Sequence, residues 1–115
     1  MLRAAFDMAT VSASVLCSSL TAYVVTFPSS PRLASYLVEQ GLAEHRDSIQ
    51  ATLDAAIKDT DDYLWKQEGG IRWNSSFEDA MFVHLEGRHP WLVRKAFKSL
   101  VAYARWLCWH EGLNA

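Results

Sequence analysis

Residues 89–111, HPWLVRKAFKSLVAYARWLCWHE, carry the strongest structural signal in this sequence. Pro90 suits the first turn of a helix, because the N–H that proline lacks would have no intrahelical partner there. Gly112 suits the position just after a helix end. No helix breaker stands between these two residues. We therefore predict a long C-terminal helix, and we expect the other helices to pack around it.

The two sides of this predicted helix differ in chemistry. At 3.6 residues per turn, apolar residues gather on one side and predict a core-facing stripe. That stripe consists of Val93, Phe97, Leu100, Val101, Ala104, Leu107 and Cys108. The opposite side mixes bases with tryptophans, so it is either covered by a second layer of the fold or presented to a partner. The predicted partner-binding residues are Arg94, Lys95, Lys98, Arg105, Trp106 and Trp109.

Residues 2–27 predict an amphipathic N-terminal helix of about 25 residues, because apolar residues recur there at spacings of three and four. That stripe is Leu2, Phe6, Ala9, Ala13, Leu16, Leu20, Tyr23 and Phe27. A cleaved signal, a membrane contact and a β-hairpin are alternatives, since no charge occurs between Met8 and Pro31. The seven Ser and Thr between Met8 and Phe27 make this run too polar for a membrane span. So regular a stripe also predicts a homodimer through this helix.

Three further helices are predicted between these two. The Pro28–Pro31 break leads into a helix over residues 31–40 with Ser30 as its N-cap. A helix over 43–67 follows, in which Asp54 and Lys58 have the spacing of a supporting ion pair. Two glycines end it, an extended connector follows, and the capping box of residues 75–78 opens a helix to about residue 86. We predict a single all-α domain over residues 1–115, with four to five helices of unequal length in an orthogonal bundle.

Charge is unevenly distributed although the net charge is only −2, a value that gives no general attraction to nucleic acid or to anionic membranes. Residues 39–68 contain eight acids and three bases, whereas residues 88–110 contain five bases and no acid. Either the two segments pack together, acid to base, or they form two surfaces of opposite sign. In the first case Lys98 or Arg105 should lie near an acid between Asp47 and Glu68.

No pattern in the chain predicts an enzyme. A metal site in a loop would need His84, Glu86, His89 and His110 together. The Glu-x-x-His spacing of residues 86–89 is interrupted by Gly87 and Pro90, so we predict no metal and no cofactor. Adjacent acids such as Asp61 and Asp62 point about 100° apart on a helix and predict a solvated face. Two cysteines without a CxxC motif predict buried thiols and a reducing, cytoplasmic setting.

We therefore predict a small, soluble, non-catalytic protein that binds another protein through a helical surface, as immunity, antitoxin and adaptor proteins do. One alternative is a nucleic-acid-binding regulator, because bases interleaved with tryptophans suit phosphate contact and base stacking. A helix-turn-helix reading of residues 76–111 fails, since the second helix is too long and too apolar. The other alternative is a small metal-dependent enzyme.

Overall fold

Polar side chains begin three of the five α-helices in the computed structural model, which describes residues 11–115. Ser12 Oγ accepts from the Val15 N–H at 3.2 Å, and Ser29 and Asn74 cap their helices in the same way. The helices are α1 (Ala13–Tyr23), α2 (Ser30–Glu39), α3 (Arg46–Trp65), α4 (Ser75–Arg88) and α5 (Arg94–Glu111), with a 3-10 turn at Ala43–His45. Within the described residues no strand forms beyond two isolated bridges. The predicted all-α bundle is confirmed.

The hub of the bundle is α3, not the C-terminal helix. α3 contacts each of the other four helices, whereas α5 contacts α1, α3 and α4. The expectation that the others pack around the last helix is therefore wrong. The physical reason is that other helices cover α3 along its whole length. Its buried residues are Ile49, Leu53, Ala56, Ile57, Thr60 and Leu64.

α5 begins later than predicted. Pro90 is not in its first turn but in a tight turn closed by the Leu92 N–H, which donates to the His89 carbonyl at 2.9 Å. Proline also suits the second position of such a turn, because its φ is fixed near −65°. The helix then starts after Val93, and Gly112 ends it with a left-handed φ of 70°, as predicted. Its buried residues are Ala96, Phe97, Leu100, Tyr103, Ala104 and Cys108.

α1 ends earlier than predicted, at Tyr23. The β-branched residues that follow favour extended backbone, and Val24 pairs with Pro28 in an isolated bridge. The predicted stripe therefore stops short of Phe27, which lies in the loop to α2. Its first part, residues 2–10, lies outside the described residues. Leu16, Leu20 and Tyr23 are buried in the core of the same chain.

The connector between α3 and α4 is tied to the chain's last residues. Gly69 and Gly70 have φ values of 77° and 88°, which allow the chain to turn sharply after α3. The Ile71 N–H then donates to the Leu113 carbonyl at 2.9 Å, and the Ala115 N–H donates to the Ile71 carbonyl at 3.0 Å. Ile71 is buried. The tail thus closes the end of the bundle where α5 stops.

Candidate partner-binding surface

The outward side of α5 carries the six residues that the sequence predicts to bind a partner. Lys95, Lys98 and Arg105 are exposed, and Trp109 has 72% of its surface exposed. Trp106 is half-buried at one edge of this side, and Arg94 is exposed at the other. At 3.6 residues per turn, the central four lie opposite the buried stripe of Leu100 and its neighbours. We call Lys95, Lys98, Arg105 and Trp109 the α5 outer face.

The bases of the α5 outer face are not neutralised by the described part of the fold. Lys95, Lys98 and Arg105 take part in none of the ion pairs formed among residues 11–115. The guanidinium of Arg105 lies 5.5 Å from the centre of the Trp73 ring, a cation–π distance. Positive charge is therefore concentrated on one side of α5, and the exposed ring of Trp109 lies on the same side, one turn after Arg105.

Arg94 has a different role from the other predicted residues. Its Nη1 donates to Asp79 Oδ1 of α4 at 2.7 Å, and its guanidinium lies 4.6 Å from the centre of the Phe82 ring. Phe82 in turn packs edge-on against Phe97 of α5. Arg94 therefore holds α4 against the start of α5, and its charge is already paired within the fold.

An aromatic stack flanks the α5 outer face on the side of α1. The rings of Phe27 and Trp106 meet edge-on with centroids 4.6 Å apart, and Trp106 stacks on His110 at 4.8 Å. Phe27 is still 49% exposed. The prediction that Phe27 belongs to the core stripe of the first helix is wrong, because α1 ends at Tyr23 and Phe27 lies on the surface.

Arg32 of α2 holds the loop that carries Phe27, between α1 and α2, by hydrogen bonds to its backbone. The guanidinium of Arg32 donates to the carbonyls of Ala22, Tyr23 and Phe27 at 3.2, 3.0 and 2.8 Å. The Ser29 N–H also donates to the Tyr23 carbonyl at 2.9 Å. One charged side chain thus satisfies three loop carbonyls, which fixes the loop against α5. A rigid loop loses little conformational entropy on binding a partner.

An open cavity of about 130 Å³ lies between α1 and the first turn of α5. Its lining residues are Cys17, Ser18, Thr21, Val93, Lys95 and Ala96. The Cys17 thiol donates to the Trp91 carbonyl at 3.1 Å, and Thr21 Oγ1 donates to the Cys17 carbonyl at 3.2 Å. The cavity therefore combines hydroxyl groups, one lysine of the α5 outer face and a small apolar floor.

The acids of α3 do not meet the bases of α5, although the two helices pack together. Asp61 accepts a hydrogen bond of 2.8 Å from the Tyr103 hydroxyl of α5, and Asp54 accepts one of 2.6 Å from Tyr23 of α1. The predicted approach of Lys98 or Arg105 to an acid of α3 is wrong, because tyrosine hydroxyls make these connections. Lys58 pairs with Asp62 at 2.8 Å rather than with Asp54.

Burial and hydrogen bonding shift the pKa values of Tyr23, Tyr103 and Asp61. Burial, reinforced by Asp54, raises the pKa of Tyr23 to about 12. Burial and then Asp61 raise the pKa of Tyr103 well above its ordinary value. Burial also raises the pKa of Asp61, although the hydrogen bond from Tyr103 acts against the increase. Both hydroxyls therefore keep their protons throughout the neutral range.

Asp59 of α3 binds the end of α4. Its Oδ2 accepts from Arg88 Nε at 2.8 Å and lies 2.7 Å from His89 Nε2. His89 is only 9% exposed. Burial alone would raise the pKa of Asp59, but the hydrogen bonds and charges of Arg88 and His89 outweigh it and hold the pKa below its usual value.

The histidines are distributed rather than gathered. His84 packs on Tyr63, and His110 stacks on Trp106 with its Nδ1 2.8 Å from Glu111. No group of three or more His, Cys, Asp or Glu within residues 11–115 has the geometry to hold a metal ion. The helix interruption expected at Gly87 is wrong: α4 continues through Gly87 to Arg88.

Comparison with known proteins assigns no family to this chain. None of the protein-family models, curated proteins or solved structures compared with it matches. None of the five α-helices described above is both long and apolar enough to cross a membrane. What the surface on α5 binds is therefore inferred from its own residues and geometry.

Proposed function

We propose that this protein acts without catalysis, by binding another protein through the α5 outer face and the neighbouring Phe27–Trp106–His110 stack. It would then work as immunity, antitoxin or adaptor proteins do, by occupying or bridging a partner. Both cysteines are free thiols in the fold, which fits a reducing, cytoplasmic setting. A homodimer through residues 2–27 remains a separate prediction.

The exposure of Trp109 is the observation that carries the proposal. A tryptophan that is 72% exposed on a long, well-packed helix leaves a large apolar surface in water. The side chain does not contribute to the core, and Arg105, one turn before it on α5, is exposed as well. Trp and Arg are the residues most enriched among those that dominate protein interfaces. A partner that covers Trp109 would therefore gain a rigid anchor and displace water from it.

Single-stranded nucleic acid is the second candidate, and the same surface favours it. Three bases in no described ion pair share one side of α5 with the exposed indole of Trp109, and this combination suits phosphate contact with base stacking. The net charge of −2 argues against a general attraction to polyanions. The two candidates differ in how strongly salt weakens the complex.

Affinity purification with two tryptophan variants tests the proposal. Trp65 is 55% exposed on α3, so Trp65→Ala is a matched control for Trp109→Ala. Wild type, Trp109→Ala and Trp65→Ala are immobilised and incubated with an extract of the organism that encodes the protein. We expect one or more proteins to be retained by wild type and Trp65→Ala but lost with Trp109→Ala. Retention that is the same on all three baits would contradict the proposal.

Nuclease treatment and salt separate the two candidates. Retention of a direct protein partner should survive nuclease and weaken only moderately between low and physiological salt. Binding of a fluorescent single-stranded oligonucleotide with a steep dependence on salt, lost in Lys98→Glu and Arg105→Glu, would favour the nucleic-acid function instead.

A further inference from the structure

We infer that the α5 outer face takes an acidic peptide segment of the partner, laid along that face with one carboxylate in the groove formed by the cavity between α1 and the first turn of α5, beside Lys95. The inference rests on the proposed function and specifies the chemistry of the partner. Three observations support it: the bases of the α5 outer face that form no described ion pair, the lack of charge on α1, and the residues that line the cavity.

The positive charge of this surface has no competitor on the neighbouring wall. α1 forms that wall, and the sequence carries no charged residue between Met8 and Pro31. Ser18 and Thr21 of α1 present hydroxyl groups to the groove instead. A carboxylate that enters the groove therefore meets the bases of α5 and hydrogen-bond donors, without meeting an acid from α1.

The spacing of the bases defines the length of the segment. Lys95 and Arg105 are ten residues apart on α5, which corresponds to about 15 Å along the helix axis. An extended peptide covers that distance in about five residues. A segment with acids near both ends would therefore pair with Lys95 and Arg105, with Lys98 between them. The exposed ring of Trp109 lies one turn beyond Arg105 and would receive an apolar residue.

The size of the cavity matches one side chain. Its volume of about 130 Å³ is well below the roughly 300–1,000 Å³ typical of cofactor and small-molecule sites. Lys95 supplies the charge and Ser18 supplies a hydroxyl group, while the Thr21 hydroxyl already donates to the Cys17 carbonyl. These groups suit a carboxylate, which accepts several hydrogen bonds at once. Val93 and Ala96 provide an apolar floor for the methylene groups of a Glu side chain.

Peptide selection on the intact protein tests this inference. A phage-displayed library of random peptides is selected on wild type and counter-selected on the double variant Lys98→Glu/Arg105→Glu. Cys17 lines the cavity and is half-buried, whereas Cys108 is fully buried. The rate at which a maleimide alkylates Cys17 therefore reports occupancy of the cavity, and Cys17→Ser identifies the labelled thiol.

We expect the enriched peptides to carry two or more Asp or Glu with an apolar residue, and to slow the alkylation of Cys17. Lys95→Gln should weaken their binding about tenfold, the effect of losing one charge-assisted hydrogen bond. Lys66→Gln, at an exposed base just after the end of α3, should change binding less than about twofold. Circular dichroism and thermal unfolding confirm that each variant is folded.

The possible failures are distinguishable. Enriched peptides without acids, or acidic peptides that leave Cys17 alkylation and Lys95→Gln binding unchanged, would overturn the inference. If Trp109→Ala still abolished binding of such peptides, the proposed function would stand. Peptides that bind the double variant and Trp109→Ala as well as wild type would overturn both. So would a selection that enriches no peptide on wild type over the double variant.

Discussion

The acids of α3 and the bases of α5 are used in opposite ways, although the two helices lie side by side. Asp54, Asp59 and Asp61 each bond to a side chain outside their own helix. Of the four bases on α5, Arg94 alone forms an ion pair within the described residues. Three of the eight acids in the negative segment are therefore part of the internal framework, whereas Lys95, Lys98 and Arg105 of the positive segment face solvent.

This difference shows that opposite net charges along a chain need not neutralise each other in the fold. The partners of Asp54, Asp59 and Asp61 are tyrosine, arginine or histidine side chains that the packing of the helices brings close. Substitutions on the two helices should therefore separate: those on α3 acids should alter stability, and those on α5 bases should alter binding.

The core beneath both helices should dominate stability. Phe97 is 2% exposed and lies in the first turn of α5. We expect Phe97→Ala to lower the free energy of unfolding by about 3–5 kcal/mol, because a large cavity replaces the ring. Urea denaturation measures this loss. Val93→Ala, at a half-exposed position at the start of the same helix, is the control. A loss below about 1 kcal/mol at Phe97 would show that this side of α5 is not packed as described.

Asp59 should be the most important acid of α3. Asp59→Ala leaves the buried ring of His89 without its partner, and we expect a loss of about 2–3 kcal/mol. Asp62→Ala is the matched control, since Asp62 is 47% exposed in its pair with Lys58, and it should cost less than about 0.5 kcal/mol. Equal losses in the two variants would contradict the structural role of Asp59.

The Asp59 contribution should also depend on pH. Its pKa in the fold is lowered, so the unfolded chain binds this proton at a higher pH than the folded one does. Its stabilisation is therefore present above the unfolded value of about 3.9 and is lost as the pH falls through the lower, folded value. The free energies of unfolding of wild type and Asp59→Ala should therefore become equal as the pH falls through that acidic range.

The two tyrosines should produce the opposite pH dependence. The pKa of Tyr23 is raised to about 12, so the unfolded chain loses this proton first as the pH increases. The stabilisation is complete below about pH 10 and is lost as the pH rises through the folded value. We expect Tyr23→Phe and Tyr103→Phe to cost about 1–1.5 kcal/mol each at neutral pH. Tyr36→Phe is the control, and a loss as large there would contradict the assignment.

The bases of the α5 outer face should matter least for stability. Lys95→Ala and Lys98→Ala remove exposed side chains that form no ion pair with the described residues. We expect the free energy of unfolding to change by less than about 0.5 kcal/mol. Thermal unfolding at matched ionic strength measures it. A loss above about 1 kcal/mol would indicate that a lysine has a structural partner, and it would weaken the case for a binding surface.

Helix positions were predictable from the sequence to within a few residues, and the errors have local causes. Ser29 and Ser30, like Asn74 and Ser75, are neighbours that can both cap a helix, so the cap was placed one residue late in each case. Pro90 suits either a first helical turn or a tight turn. The choice depends on His89 reaching Asp59, a contact between distant parts of the chain that no local pattern contains.

The candidate site was predictable where it depends on one helix. The helical period alone placed Lys98, Arg105 and Trp109 on a common side opposite the core. Phe27 and the cavity could not be predicted, because they arise where a loop or a second helix meets α5. Arg32 is the residue that fixes this loop, and its exposed position in α2 gave no sign of that role.

The pairing of the C-terminal tail with Ile71 has a consequence for the dynamics of the chain. Two backbone hydrogen bonds hold these residues together, far fewer than hold any helix of the bundle. Such a small unit opens at a lower free energy than the whole domain does. Cys108, which is fully buried and lies one turn before the tail, would then become reactive on a slower timescale than Cys17. The tail thus gives the protein a local opening event that its helical core does not share.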